Sequence, residues 1–204
     1  MGNIGIIGRA RVGKDTAGAW FVANRGYRRV GFADALKEAA LRLDPAMGED
    51  VNGNLIRLSD VLDSYRVPVF GGRDPMELVK DNDPEFRRIL QELGAAIRAI
   101  DEDFWLRAAL KKVQEANEAG VPCVITDVRY PNEAAALKRA GFHLVYVDRP
   151  GVPQMDHASE NSLTADDADY TIENFGFLED YLSKVERFAL RVEQHESRRH
   201  FARL

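Results

Sequence analysis

One nine-residue stretch, GRARVGKDT at 8–16, constrains this chain more than any other part of it. It separates a short apolar run, IGII at 4–7, from a helix-like segment, DTAGAWFVANR, that Gly26 closes. A Gly-x-x-x-x-Gly-Lys pattern between a strand and a helix is the setting in which a loop binds phosphate. The glycines let the backbone curl until successive N–H groups and the helix N-terminus point at one anion, and the lysine adds a compact positive charge. Gly8, Gly13 and Lys14 occupy the required positions. The competing reading is a generic glycine turn followed by a solvated lysine. One position departs from the pattern. The hydroxyl residue that normally follows the lysine to meet a magnesium ion is displaced by Asp15, and Thr16 comes one residue later.

A chain of 204 residues, 45% hydrophobic and 30% charged, is long enough for one substantial core and short for two full-sized domains. We therefore expect one domain with an inserted segment. The net charge of -5 supplies no basic field for a nucleic-acid polymer, although local arginines can grip a small phosphorylated ligand. The single cysteine, Cys123, leaves no disulfide framework or cysteine-pair metal site, which fits a reducing compartment. No run approaches the roughly 20 apolar residues of a membrane span, and MGNIGIIG lacks the layout of a signal peptide. These features predict a cytoplasmic protein without a membrane partner.

Strand and helix signals alternate towards both ends. YRRVGFA reads as a second strand and DALKEAALRL as a helix capped by Asp34 and ended by Pro45. Residues 45–84 are rich in turn residues around one short helix, LSDVLDSY, with Ser59 as its expected cap, and read as an insertion over the site. From Asp83-Pro84 a helix follows, with Phe86, Ile89, Leu90, Leu93 and Ile97 on a buried face. Arg87, Gln91, Gly94 and Arg98 form another stripe with Arg88 beside it, which is either a solvated charged face or a ligand face. A mid-helix glycine costs about 1 kcal/mol relative to alanine, so Gly94 points to a close approach of some kind.

Asp103 starts a helix that runs to Gly120 with Leu106, Ala109, Leu110 and Val113 buried. VPCVITD has the continuous apolar character of a buried parallel strand, Pro131 opens the next helix, Gly141 closes it, and FHLVYVD is another strand. The strand DYTIE, a turn at NFG and a helix with Leu178, Leu182, Val185, Ala189 and Val192 on one face follow, and ESRRHFARL reads as a frayed basic end. The alternation implies a parallel sheet covered on both faces, with ligands at the carboxyl ends of its strands.

Two further clusters can carry chemistry. In TDVRYPNE, Asp127 ends the buried strand and Arg129 follows two residues on. An acid and a guanidinium there serve a metal-water shell or substrate hydroxyl and a phosphate clamp, or else they pair with one another or cap the next helix. The loop at about 149–168 is longer than compact domains usually carry without a role and reads as a lid, from which Arg149 can reach a transferring phosphoryl group. His157, Ser159 and Glu160 lie in it, with surface polarity or local capping as the equal alternative.

Taken together, GRARVGKDT, FADALK, RRILQELG, DFWL, TDVRYPNEA, DRPG with HASE, and ADYTIENFGFLEDYL occur in an order that resembles the phage-type deoxynucleoside monophosphate kinases, a branch of the P-loop nucleoside and nucleotide kinases. The resemblance implies a three-layer α/β P-loop fold: a central parallel sheet, helices on both faces, and an inserted substrate-binding region, all in a single domain over 1–204. It implies transfer of the ATP γ-phosphoryl group to a deoxynucleoside 5'-monophosphate, with Mg2+. On that mapping, Gly8, Arg11, Val12, Gly13, Lys14, Asp15 and Thr16 hold the donor phosphates and metal, and Asn174 with Gly176 forms the turn beside the adenine. Asp34, Lys37, Arg88, Gln91, Asp127, Arg129 and Glu160 meet the acceptor. Lys14, Asp127, Arg129 and the lid Arg149 form the catalytic set. Asp15 and Thr16 are the metal candidates, with Asp15 facing the metal or acceptor side and Thr16 the donor phosphates. Family members often carry Leu-Gly-Thr-Glu where this chain reads LGAA at 93–96, so a side-chain contact of the family has no counterpart here.

An acceptor phosphate oxygen is already anionic, so the chemistry is positioning and charge stabilisation without a strong general base. The expected partners are small nucleotides, with a homodimer as the assembly to test. Three other readings compete: a P-loop kinase for another small acceptor, such as dephospho-coenzyme A, a nucleotide-hydrolysing switch, and a binding module without catalysis. Valine after Asp127 and the absence of an N-K-x-D motif weigh against the switch.

Overall fold

A computed structural model of the chain describes residues 2–65, 75–152 and 162–202, apart from the side chain of Glu77. The apolar run at the start forms β1 (Ile4–Ile7), buried at every position. The glycine loop follows it, and then α1 (Lys14–Arg25), closed by Gly26 at φ 68°. Next come the two-residue β2 (Arg28–Arg29), α2 (Phe32–Leu43), an antiparallel hairpin of β3 (Ala46–Glu49) and β4 (Leu55–Arg57), and α3 (Leu58–Tyr65). Then follow α4 (Pro75–Asn82), α5 (Pro84–Ile100), α6 (Phe104–Glu118) and β5 (Cys123–Val128). The order ends with α7 (Pro131–Arg139), β6 (His143–Asp148), β7 (Tyr170–Glu173) and α8 (Leu178–Phe201).

The chain divides into two compact units, one of Met1–Phe32 with Ala108–Leu204 and the other of Ala33–Arg107. In the first, a five-stranded sheet has the order β2-β5-β1-β6-β7, and every pairing is parallel. The two-residue period of a strand sends Ile4 and Ile6 to one face. There they join Val124, Val145, Val147 and Ile172 of the sheet, Phe21 of α1, and Tyr181, Val185 and Phe188 of α8 in one core. Gly5, between them, faces the other way, where a Cβ would come 3.1 Å from Leu137 of α7. Helices thus cover both faces, and the loops after β1, β5, β6 and β7 emerge at the same end of the sheet.

Several local expectations are corrected. The strand expected over YRRVGFA shrinks to two residues, because Tyr27 is drawn into the core, its hydroxyl donating to the Gly2 carbonyl, and Phe32 already begins a helix. Asp34 therefore lies within the first turn of α2 and is not its cap, although its charge still suits the positive end of the helix dipole. The basic tail continues α8 through Phe201 and is not frayed there. Leu178 is exposed, while Tyr181 and Phe188 take places on the buried face.

The second unit has its own core of Ala40, Leu58, Leu62, Met76, Val79, Phe86 and Leu90. Its hairpin and α4 have no counterpart in the reading of 45–84. Ser59 is not a cap acceptor, since its N–H and hydroxyl both donate to the Asp44 carboxylate, so Asp44 fastens the start of α3. At α5 the expected signals hold: Asp83 accepts from the Glu85 and Phe86 amides, Pro84 occupies the first turn, and Phe86 and Leu90 are buried. Ile89, Leu93 and Ile97 are half-buried beside them. Gly94 is explained by packing. A Cβ there would lie 3.2 Å from Leu36, and its carbonyl accepts the Trp105 indole N–H.

Candidate functional site

Two glycines set the loop that follows β1. Gly8 turns the chain at φ 144°, where a Cβ would come 2.4 Å from the Val147 carbonyl oxygen on neighbouring β6. Gly13, at φ 107°, precedes α1, and a Cβ there would come 2.6 Å from Asn174 Nδ2. Neither position accepts a side chain without displacing its neighbour. Between them, Arg11 is exposed at φ 63°, and Val12 is buried in the core, so only its backbone can serve a ligand.

The loop carbonyls, which would repel an anion, are engaged by the protein. Asn174 Nδ2 donates to Val12 O at 2.7 Å, and Gly13 O accepts from the Tyr181 hydroxyl at 2.9 Å and the Ala17 N–H at 3.0 Å. Burial pushes the Tyr181 phenol well above its ordinary range, which keeps that hydroxyl a donor. Lys14 is buried, and its Nζ donates to the carbonyls of Gly8 at 2.7 Å and Arg9 at 2.6 Å. The ammonium thus closes the loop on itself.

The unusual Asp15 is tied to the sheet. Its Oδ1 accepts from the hydroxyl of Thr126, which is buried on β5, at 2.9 Å. Its Oδ2 makes no hydrogen bond among the described residues. Thr16 is exposed beside it. Asp127, next to Thr126, accepts the Phe32 N–H at 3.1 Å, a contact to the start of α2 and not to the helix that follows Asp127. That following helix, α7, is capped by the buried Glu133, whose Oε2 accepts from the N–H groups of Arg129 (2.8 Å) and Tyr130 (3.0 Å). The Arg129 backbone is thereby fixed while its side chain is exposed.

At the end of β6, Asp148 pairs with Arg9 at 3.4 Å, and its carbonyl accepts the Asn174 N–H. Arg149 follows, exposed, and Gly176 turns the chain at φ 90° ahead of α8. Glu160, with His157 and Ser159, lies outside the described residues.

Described by itself, the second unit presents Asp34 and Lys37 half-buried on α2, and Arg88 and Gln91 exposed on α5. Arg88 makes a two-pronged contact to Glu85, at 2.8 and 2.6 Å. Hydrogen bonding to Arg88 lowers the Glu85 carboxyl, and the same contact raises the guanidinium. Arg87 donates to the Lys80 carbonyl, and Arg98 lies 3.8 Å from Glu102. The stripe on α5 is therefore one of locally engaged charges.

The arrangement fits a polyphosphate. Its strand-loop-helix backbone bends around two obligatory glycines, a buried ammonium lies against the loop carbonyls, and hard oxygen donors suited to a magnesium-like cation are offered by Asp15, Thr16 and Asp127. Sequence reading missed Thr126, Glu133, Asp148 and Tyr181, whose contributions arise from contacts between elements distant in the chain.

A family model described as deoxynucleotide monophosphate kinase matches residues 72–185. A protein of Acanthamoeba polyphaga mimivirus described as "Putative deoxynucleotide monophosphate kinase" is 28% identical over 191 residues, covering 89% of this chain and 93% of its own. The deoxynucleotide monophosphate kinase of Escherichia phage RB69 is 30% identical over 105 residues, covering 50% of this chain and 43% of its own. Among solved structures, dephospho-CoA kinase from Campylobacter jejuni aligns with 96% of this chain and 100% of its own at 10% identity and a TM-score of 0.48. Among the described residues no helix is long and apolar enough to cross a membrane.

Proposed function

Because the chain belongs to the deoxynucleotide monophosphate kinase family, we propose that it transfers the γ-phosphoryl group of ATP to a deoxynucleoside 5'-monophosphate, with Mg2+ as the metal. In the transfer, an acceptor phosphate oxygen forms a bond to the γ-phosphorus as the bond to the β,γ-bridging oxygen breaks, leaving ADP and a deoxynucleoside diphosphate. The observation that carries this reading is the Thr126–Asp15 hydrogen bond. It fastens the phosphate loop to the end of β5, from which Asp127 and Arg129 emerge, so that donor-holding and charge-stabilising groups share one rigid frame.

The residues divide the work. The backbone from Gly8 to Thr16, including Arg11 and Val12, receives the donor phosphates, and Lys14 exchanges its carbonyl partners for their oxygens. Asp15 and Thr16 hold the metal, which when bound neutralises charge on the donor phosphates. Asp127 and Arg129 face the reacting phosphates, Arg149 reaches the transferring group, and Asn174 with Gly176 frames the adenine. Asp34, Lys37, Arg88, Gln91 and Glu160 belong to the acceptor. The same proposal covers a single kinase domain over 1–204, small nucleotides as the only substrates, a cytoplasmic location and a homodimer.

The test is a panel of deoxy- and ribonucleoside monophosphates with ATP and magnesium, read by coupled ADP release, with dephospho-coenzyme A included. One or more deoxynucleotides should turn over, while ATP alone leaves the enzyme nearly idle. Release of phosphate from ATP alone, or transfer only to dephospho-coenzyme A, would overturn the assignment.

A further inference from the structure

β6 runs from His143, which is buried, to Asp148 at its other end. The Nε2 of His143 lies 2.9 Å from Glu196 Oε1 on α8. His195, the preceding residue of α8, places Nδ1 3.8 Å from the same oxygen, and its ring stands edge-on to the His143 ring at 5.1 Å. One ligand atom from each of the three side chains falls within 4.8 Å of the others. The segment at Gly2 covers the cluster on one side, since a Cβ there would come 2.7 Å from His143 and 3.1 Å from the Glu196 carboxyl. Gly2, Glu196, Arg199 and His200 are among the residues that line a groove of about 570 Å³, through which solvent reaches the Glu196 carboxylate.

We propose that His143, His195 and Glu196 form a binding site for a divalent transition-metal ion of the zinc class, separate from the catalytic metal. Two imidazoles and one carboxylate are the ligand set that such ions favour over magnesium or calcium. Tetrahedral coordination with bonds near 2.0–2.1 Å places ligand atoms about 3.4 Å apart. The observed separations bracket that value, so small rotations of His195 and Glu196 suffice. The three side chains converge on Glu196 Oε1, the anionic member of the ligand set. Arg199 donates to the same oxygen at 3.2 Å and gives way to the ion, as its side chain is 44% exposed. Metal binding at His143 Nε2 moves the ring proton to Nδ1, and water completes the shell. The six residues of β6 separate His143 from Asp148 by roughly 17 Å, at about 3.3 Å per residue, so the ion clips α8 to the sheet at the end away from the phosphate loop.

The test titrates the metal-stripped full chain with Zn2+, using competition with a chromophoric chelator, and with Co2+ followed by its visible absorption. The expected result is one Zn2+ equivalent whose affinity drops at least tenfold in His195→Ala, with loss of the tetrahedral cobalt bands, and is unchanged in His200→Ala. His195 is exposed, so this variant should fold, and its magnesium-dependent kinase activity should match the parent's, which keeps this result distinct from the assigned function. Equal Zn2+ affinity in the parent and His195→Ala, or no stoichiometric uptake by the parent, overturns the proposal.

Discussion

Lys14 and Arg88 are both cations assigned here to phosphate, and their surroundings differ in kind. Lys14 is 9% exposed and donates to two carbonyls of the loop that it serves. Arg88 has a side chain that is 60% exposed and is satisfied by Glu85, three residues earlier on its own helix. A buried ammonium without partners would carry a large desolvation cost, so it needs the two loop carbonyls as long as no other acceptor replaces them. Its position is consequently set before any ligand arrives. The exposed guanidinium carries no such constraint, and in the proposed role it would reach a phosphate by exchanging one anion for another. On the proposed assignment, the difference separates a preorganised donor group from an adaptable acceptor group, and the first is where loss of a side chain should hurt most.

Lys14→Ala gives the largest effect. Turnover should fall on the order of 10²–10³-fold or more in the coupled ADP assay, with the melting temperature within a few degrees of the parent's. Arg129→Ala belongs beside it, since its backbone stays fastened by Glu133 when the side chain is removed. Near-normal turnover in either variant would erase the distinction between the two regions. Arg88→Ala should act more narrowly, raising the acceptor KM about tenfold while the ATP KM stays unchanged. Glu85→Gln sharpens the point. If Arg88 works by exchange, weakening its resident partner should lower the acceptor KM, and a rise instead would mean that Glu85 orients the guanidinium for the substrate.

The same contrast governs what could be read from the sequence. The loop was legible because each of its requirements is local: a glycine at a positive φ, a lysine one residue on, a strand before and a helix after. Asp83-Pro84 was equally plain, as a cap and a first-turn proline act within a few residues. Segment 45–84 resisted because AMGE and LIR are too short and too exposed to declare a strand period, and they become strands only by pairing with each other. Ser59 looked like a cap until Asp44, 15 residues away, took both of its donors. Tyr181 carries no local signal of its role in the sequence, yet its hydroxyl supports the Gly13 carbonyl 168 residues earlier in the chain. Sequence spacing carries the chemistry of a loop, but it cannot carry the contacts that hold the loop from behind.

Those supporting contacts give the smallest expected effect. Tyr181→Phe removes one buried hydrogen bond to Gly13 O, which still accepts from Ala17, so the loss should be about 1 kcal/mol of stability and a modest rise in the ATP KM. A pH dependence follows from the burial of the two phenols. Burial raises the folded-state pKa of Tyr181, and burial together with Glu193 and Glu196 raises that of Tyr27. Above the ordinary phenol value near 10, the unfolded chain therefore releases these protons while the folded chain keeps them. Stability from both groups is fully present below about pH 10 and is lost as pH rises towards the folded values. Urea unfolding should thus show a flat stability from neutral pH to about 10 and a decline beyond it. Tyr181→Phe should remove part of that decline and Tyr27→Phe another part. An alkaline slope unchanged in both variants would mean that neither buried phenol resists ionisation.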